Sequence, residues 1–172
     1  MKDSTLEKHI QGLKGYITNP QIGLPEEVFE LVSSLTPMVN VDLLFRDEAG
    51  RILLIWRDDP ICGCGWHIPG GICRFQETRK ERVLKTAQKE LQADITFNEE
   101  VLAVNEIILP QEVRGHFISF LYECYLPKGY TEIAICTDSQ MCCEPGTMMW
   151  HYTSPKHWVK GQEEIYKNLF WG

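Results

Sequence analysis

The sequence has no run approaching the roughly 18 apolar residues that a membrane-spanning helix requires, and its first residues, MKDSTLEKHI, lack the apolar core of a secretory signal. No membrane role is expected, and the chain reads as cytoplasmic. Positive charge is scarce, with 17 Lys and Arg against 24 Asp and Glu and a net charge of −7. That balance argues against nucleic acid as the main partner, because binding to its backbone relies on clustered Lys and Arg. A small phosphate ester stays open if a divalent cation offsets the local repulsion. Paired C-x-x-C spacings are missing as well. The seven cysteines (62, 64, 73, 124, 136, 142 and 143) are odd in number and read as reduced thiols. A zinc site built from the Cys62/Cys64 and Cys142/Cys143 pairs is the alternative. There are no repeats and no low-complexity segments.

What is present suits one globular domain over residues 1–172, with 44% hydrophobic and 24% charged residues. Residues 1–36 read as a helical N-terminal segment. Leu6, Ile10 and Leu13 share one helical side, and their expected role is packing. Pro25, Glu26 and Glu27 have first-turn chemistry for a second helix to about Ser34, with Val28, Phe29, Leu31 and Val32 as its apolar side. MVNVDLLF and RILLIWR, separated by Asp47-Glu48-Ala49-Gly50, read as paired strands, and Trp66-His67-Ile68 as a short strand before Pro69-Gly70-Gly71.

A helix over Thr78 to Leu91 carries Val83, Leu84, Ala87 and Leu91 on a packing stripe. Arg82, Thr86 and Glu90 lie on a neighbouring stripe that can face a ligand. Strands are expected at Val101 to Leu109, Gly115 to Tyr125 and Thr147 to Tyr152. A last helix is expected to start at Ser154-Pro155, with Ser154 as N-cap and Trp158, Ile165, Leu169 and Phe170 as anchors. This order predicts an α/β fold with a mixed sheet and helices on both faces.

Chemistry concentrates in GWHIPGGICRFQETRKERVLKTAQKEL. Two glycines after a strand let backbone approach an ion or phosphate, and the following helix delivers carboxylates to the same place. The Gly70 carbonyl and the Glu90 carboxylate are oxygen donors of the kind Mg²⁺ takes. A plain glycine turn before a solvated helix is the alternative.

Residues 65–93 resemble the box of the Nudix (MutT-like) hydrolases, G-x5-E-x7-R-E-U-x-E-E-x-G-U with U aliphatic. Gly71 stands at the opening glycine, Glu77 at the first glutamate, Lys85 at the arginine and Glu90 at the last glutamate. Thr86 and Lys89 replace two further glutamates, and Gln92 replaces the second glycine. The resemblance implies a Nudix-like α/β/α sandwich preceded by short N-terminal helices. It also implies hydrolysis of a small nucleoside diphosphate derivative with Mg²⁺ (or Mn²⁺).

From about Pro25 to Trp150 the chain is similar to the GDP-mannose mannosyl hydrolase branch of that family. By that similarity Gly70, Glu90 and Glu144 are metal ligands, Asp42 is catalytic and Arg57 binds the diphosphate. The departures are Ile72 for an arginine, Pro145 for a histidine base and Phe117 for a tyrosine. The metal scaffold is therefore better matched than the catalytic apparatus. The branch also implies a homodimer, with the N-terminal segment as a candidate contact.

Residue by residue, alternatives remain. Arg57 either covers apolar surface or grips the diphosphate, and Arg74 can substitute for the arginine missing at Ile72. Asp42, in an apolar strand, needs a partner such as Arg57. Glu77 holds the loop–helix junction or takes part in catalysis, and Lys89 is expected to turn outward. His116 and His67 are the candidates for general base, with Glu144 as a substitute. Trp66, Phe117 and Trp150 stack on a base or pack in the core. The resulting function is hydrolysis of a nucleotide sugar such as a GDP-sugar, against a binding module that has lost turnover.

Overall fold

A computed structural model of the chain describes residues 4–60, 63–138, 142–159 and 161–172. Two helices open the chain, α1 (Ser4–Lys14) and α2 (Glu26–Leu35). Four strands follow, β1 (Met38–Phe45), β2 (Ile52–Asp59), β3 (Gly63–His67) and β4 (Gly70–Ile72). Then come α3 (Arg79–Leu91), β5 (Thr96–Phe97), β6 (Ala103–Ile108), β7 (His116–Tyr125), β8 (Met148–His151) and α4 (Glu163–Trp171). One sheet runs β4-β1-β7-β5, with β6 also paired to β7, and the other runs β3-β2-β8. The first sheet is mixed. β1 is parallel to β7 and antiparallel to β4, and β7 is antiparallel to β5 and β6.

The alternation of β1 makes two layers. Val41, Leu43 and Phe45 join Val83, Ala87 and Leu91 of α3 in one core. Leu44 points to the opposite face, where Leu121, Trp56, Trp66, Tyr166 and Phe170 form the second core under α4. The expected α/β architecture with a mixed sheet and helices on both faces is thus the observed one. Among the described residues, no helix is long and apolar enough to cross a membrane.

Four expectations need correction. MVNVDLLF and RILLIWR do not form a paired hairpin: a bridge between Arg46 and Ile52 joins the segments, and β1 and β2 then diverge into different sheets. α1 forms as predicted but buries none of its residues, and Leu6, Ile10 and Leu13 stay largely exposed instead of joining either core. In α2 only Val28 and Ser33 are buried, and Leu31 and Val32 stay exposed. Ser154 caps no helix, since α4 begins at Glu163; instead its Oγ accepts a hydrogen bond from Trp158 Nε1 at 3.1 Å. The segment before α4 runs extended because it pairs with β3. Trp66 N–H donates to His157 O (2.8 Å) and Val159 N–H to Trp66 O (3.0 Å). Gly65 permits this approach, because a Cβ there would lie 2.6 Å from the Trp158 carbonyl carbon.

α3 is delimited by strong local signals. Thr78 and Glu81 form a reciprocal capping box, with Thr78 N–H donating to Glu81 Oε2 (2.8 Å) and Glu81 N–H to Thr78 Oγ1 (3.2 Å). At the other end Gln92 sits in the left-handed region, φ 53° and ψ 37°, where glycine is ordinarily found. An L-residue there costs about 1 kcal/mol. Gln92→Gly is therefore expected to raise stability by up to about 1 kcal/mol. The check is a higher urea midpoint at unchanged slope.

Candidate active site

The corner between β3, β4 and α3 is shaped by close backbone approach. A Cβ on Gly70 would collide with Asp42 Oδ1 and come within 3.1 Å of Val41 O, and one on Gly71 would collide with Thr86 Oγ1. In the β1–β4 ladder Leu43 N–H donates to Pro69 O and Cys73 N–H to Val39 O, while Asp42 lies opposite Gly70. That register makes Asp42–Gly70 a non-hydrogen-bonded pair, so the N–H and C=O of Gly70 both point away from β1. The N–H meets Glu90 Oε2 at 3.3 Å. The carbonyl leaves the ladder on that same side.

A cavity of about 390 Å³ opens over this corner, within the size range of small-molecule sites. The α3 stripe anticipated from spacing reaches it through Arg82, Thr86 and Glu90. Asn40 and Asp42 come from β1, Arg57 from β2, His67 from β3, Phe117 from β7, and Glu26 and Phe29 from α2. Arg74, Lys89, Arg114 and Gln162 complete its polar lining. Five cationic side chains (Arg57, Arg74, Arg82, Lys89, Arg114) thus meet three carboxylates (Glu26, Asp42, Glu90) in a chain whose net charge is −7. The local balance is opposite to the global one and suits an anionic ligand.

Asp42 is 1% exposed and its partner is not Arg57. Asn40 Nδ2 donates to Oδ1 at 2.8 Å, and the hydroxyls of Ser119 and Tyr166 donate to Oδ2. Burial lifts its pKa from 3.8 to about 6 in spite of these hydrogen bonds. Arg57 lies 3.8 Å from Asp59 instead. Glu77 is spent on the loop–helix junction, receiving Arg74 N–H (2.9 Å), Arg82 Nε (2.7 Å) and Lys85 Nζ (2.8 Å). Burial raises its pKa, but the bonds from Lys85, Arg74 and Arg82 outweigh this and hold it below its usual value. Its side chain is absent from the cavity lining.

Other candidates separate cleanly. Lys89, expected to turn outward, is solvent-exposed yet borders the cavity. Phe117 and Arg74 line the cavity, as does His67, whose Nε2 is 3.8 Å from Glu90 Oε2. His116 does not; it sits at the start of β7 with Nε2 3.2 Å from Glu106 Oε1. Trp66 is fully buried, edge-on to Trp56 (5.3 Å) and His151 (4.5 Å), and cannot stack on a ligand. Trp150 packs against the α3-side core. Glu144, the expected third metal donor, is exposed and absent from the lining. Its carbonyl is tied into the turn before β8 by Thr147 N–H at 3.1 Å.

Arg82 was visible in the helix stripe. Arg114 and Gln162 carried no local signal; Gln162 Oε1 enters by accepting Ile68 N–H at 2.9 Å across 94 residues.

A divalent cation at this corner would draw on a small donor set. Among the described residues, no group of three or more His, Cys, Asp or Glu side chains can hold one unaided. Cys62 of the zinc alternative lies outside the described residues. Glu90 and the Gly70 carbonyl do fit an ion such as Mg²⁺ that takes its remaining ligands from water and ligand phosphates. Thr86 Oγ1 and His67 Nδ1 are buried without a hydrogen-bond partner among the described residues. They leave polar capacity at this corner for a hydrated ion or phosphate.

Solved structures with similar folds exist. A possible asymmetric diadenosine tetraphosphate hydrolase from Jonesia denitrificans superposes with a TM-score of 0.58 at 20% identity, over 78% of this chain and 93% of that one. A UDP-X diphosphatase superposes with a TM-score of 0.55 at 18% identity, over 98% of this chain and 80% of that one. The chain therefore has a Nudix-like fold. No family model matches it. In sequence it is similar to the low-salt glycan biosynthesis protein Agl8 of Haloferax volcanii, 27% identical over 118 residues, 66% of this chain and 75% of that protein.

The Asp42 shift has a definite pH signature. The folded pKa lies above the unfolded one, so the native state holds more protons between about pH 4 and 6 and loses stability as pH rises through that window. The stability difference between wild type and Asp42→Asn should fall over that range and stay level above it, measured by chemical denaturation at a series of pH values. A flat difference would place the Asp42 proton elsewhere.

Proposed function

We propose that this chain is a Nudix-type enzyme that hydrolyses a nucleoside diphosphate joined to a second group, most specifically a nucleotide sugar such as a GDP-sugar. The supporting observation is the cation-rich cavity over the Gly70–Gly71 corner, with Glu90 and Gly70 in its lining. The structural similarity to a UDP-X diphosphatase and the sequence similarity to a glycan biosynthesis protein favour this ligand class. The protein acts in the cytoplasm on a small molecule, without nucleic acid, and homodimerises through its N-terminal segment.

Arg57 and Arg74 bind and orient the diphosphate, since guanidinium forks match phosphate oxygens. Glu90 and the Gly70 carbonyl hold a Mg²⁺ or Mn²⁺ ion, which when bound supplies charge neutralisation for the departing phosphate. His67 serves as the base: it lies at the cavity beside Glu90, and a neutral imidazole can accept a proton from water. Asp42 keeps β1 and α4 in register beneath the corner, and Phe29 and Phe117 offer apolar surface to the nucleoside.

A second reading, a binding module without turnover, is favoured by one specific observation. Thr86 and Lys89 present a hydroxyl and an ammonium where further carboxylates would gather metal.

The test is a screen of nucleotide sugars and dinucleotides with Mg²⁺. An active substrate should lose at least about 100-fold in turnover in Glu90→Gln. Equal rates in the two proteins would refute the role of Glu90. Thermal stabilisation by the nucleotide without any product over a long incubation would select the binding module. For an active substrate, reaction in ¹⁸O-labelled water separates attack at carbon, which labels the sugar, from attack at phosphorus.

A further inference from the structure

The cations of the cavity are not equally available to a ligand. Arg82 is committed to Glu77, with an ion pair of 2.6 Å. Arg57 and Arg114 share Asp59, at 3.8 and 4.0 Å. Lys89 and Arg74 have no ion pair among the described residues, although both line the cavity. Lys89 occupies the last turn of α3 immediately before Glu90, so a lysine and a carboxylate border the cavity from one turn of one helix. Glu90 is already engaged in the resting protein, where Gly70 N–H donates to it at 3.3 Å. Asp42 is closed off by Asn40, Ser119 and Tyr166. Among the described residues around the cavity, Glu26 and Glu90 are the carboxylates left for an ion, and Lys89 and Arg74 are positive charges without an ion pair that join Arg57, held only loosely by Asp59, in facing an anion.

We infer that Lys89, assisted by Arg74, is a built-in cation for the diphosphate of the ligand, so that capture of a nucleoside diphosphate does not depend on a divalent ion. The inference rests on the nucleoside diphosphate reading of the cavity and adds a division of labour to it. Protein side chains bind the phosphates, and Glu90 with the Gly70 carbonyl would hold the ion, which would add charge neutralisation without being needed for capture. A charged hydrogen bond to phosphate, desolvated when the ligand covers it, accounts for roughly 10- to 100-fold in affinity. Lys89 is exposed in the free protein, so its replacement leaves the packing of α3 intact.

The experiment is calorimetric titration of GDP and of inorganic pyrophosphate into the full chain, once in EDTA and once in excess Mg²⁺. Wild type, Lys89→Gln and Lys89→Arg are compared, with circular dichroism as the check on folding. Wild type should bind GDP in EDTA within about tenfold of its affinity in Mg²⁺. Lys89→Gln should lose roughly 10- to 100-fold in EDTA and less in Mg²⁺, and Lys89→Arg should retain binding. Pyrophosphate should show the same pattern, because the contact is to phosphate. If wild type binds GDP only with Mg²⁺, or if Lys89→Gln matches wild type in EDTA, the inference fails while the cavity assignment stands. If wild type binds neither probe under either condition, both fail.

Discussion

The structure depends on how closely three backbones meet at Gly70 and Gly71. β4 lies so near Asp42 of β1 and Thr86 of α3 that neither glycine has room for a Cβ. This contact sets the β1–β4 register, and the register turns the Gly70 peptide away from the ladder and toward Glu90. Everything placed in the cavity is referenced to that corner. The Glu77 cluster outside it keeps α3 at a constant offset, tying the loop N–H of Arg74 to the side chains of Arg82 and Lys85.

Beneath the corner, Asp42 joins the sheet to the last helix. An ionised carboxylate with 1% exposure is expensive, and three donors from β1, β7 and α4 only partly offset its burial. Polar groups of this kind tolerate few alternative arrangements. The network therefore specifies where α4 docks more than it adds to stability. The extended segment paired with Trp66 guides the chain to the same place, and Gln162 closes that side by accepting Ile68 N–H.

Charge is distributed against the composition. An acidic chain keeps its cavity rich in Arg and Lys, and three of those cations are restrained by Glu77 and Asp59. Restrained guanidinium groups are pre-oriented, which lowers the entropy lost when an anion binds. The uncommitted ones respond to the ligand. Among the described lining residues, Glu26 and Glu90 are the carboxylates not enclosed by hydrogen bonds as Asp42 is, and they are outnumbered by cations, a balance that favours an anion over a bare divalent ion.

The sequence by itself determined whatever is local. The glycine pair, the cap at Thr78, the stripe of Arg82, Thr86 and Glu90, and the alternation in β1 each express a relation between residues a few positions apart. Those relations set the strands, α3 and the neighbourhood of Gly70 and Glu90. Only the tertiary structure decided which distant residues share a space. Tyr166 reaches Asp42 across 124 residues, Trp66 disappears into the core under α4, and Glu144 and His116 fall outside the cavity that His67 enters. Periodicity reports which face of an element is apolar, but the partner of that face is chosen by packing between elements far apart in the chain, where no local pattern records it.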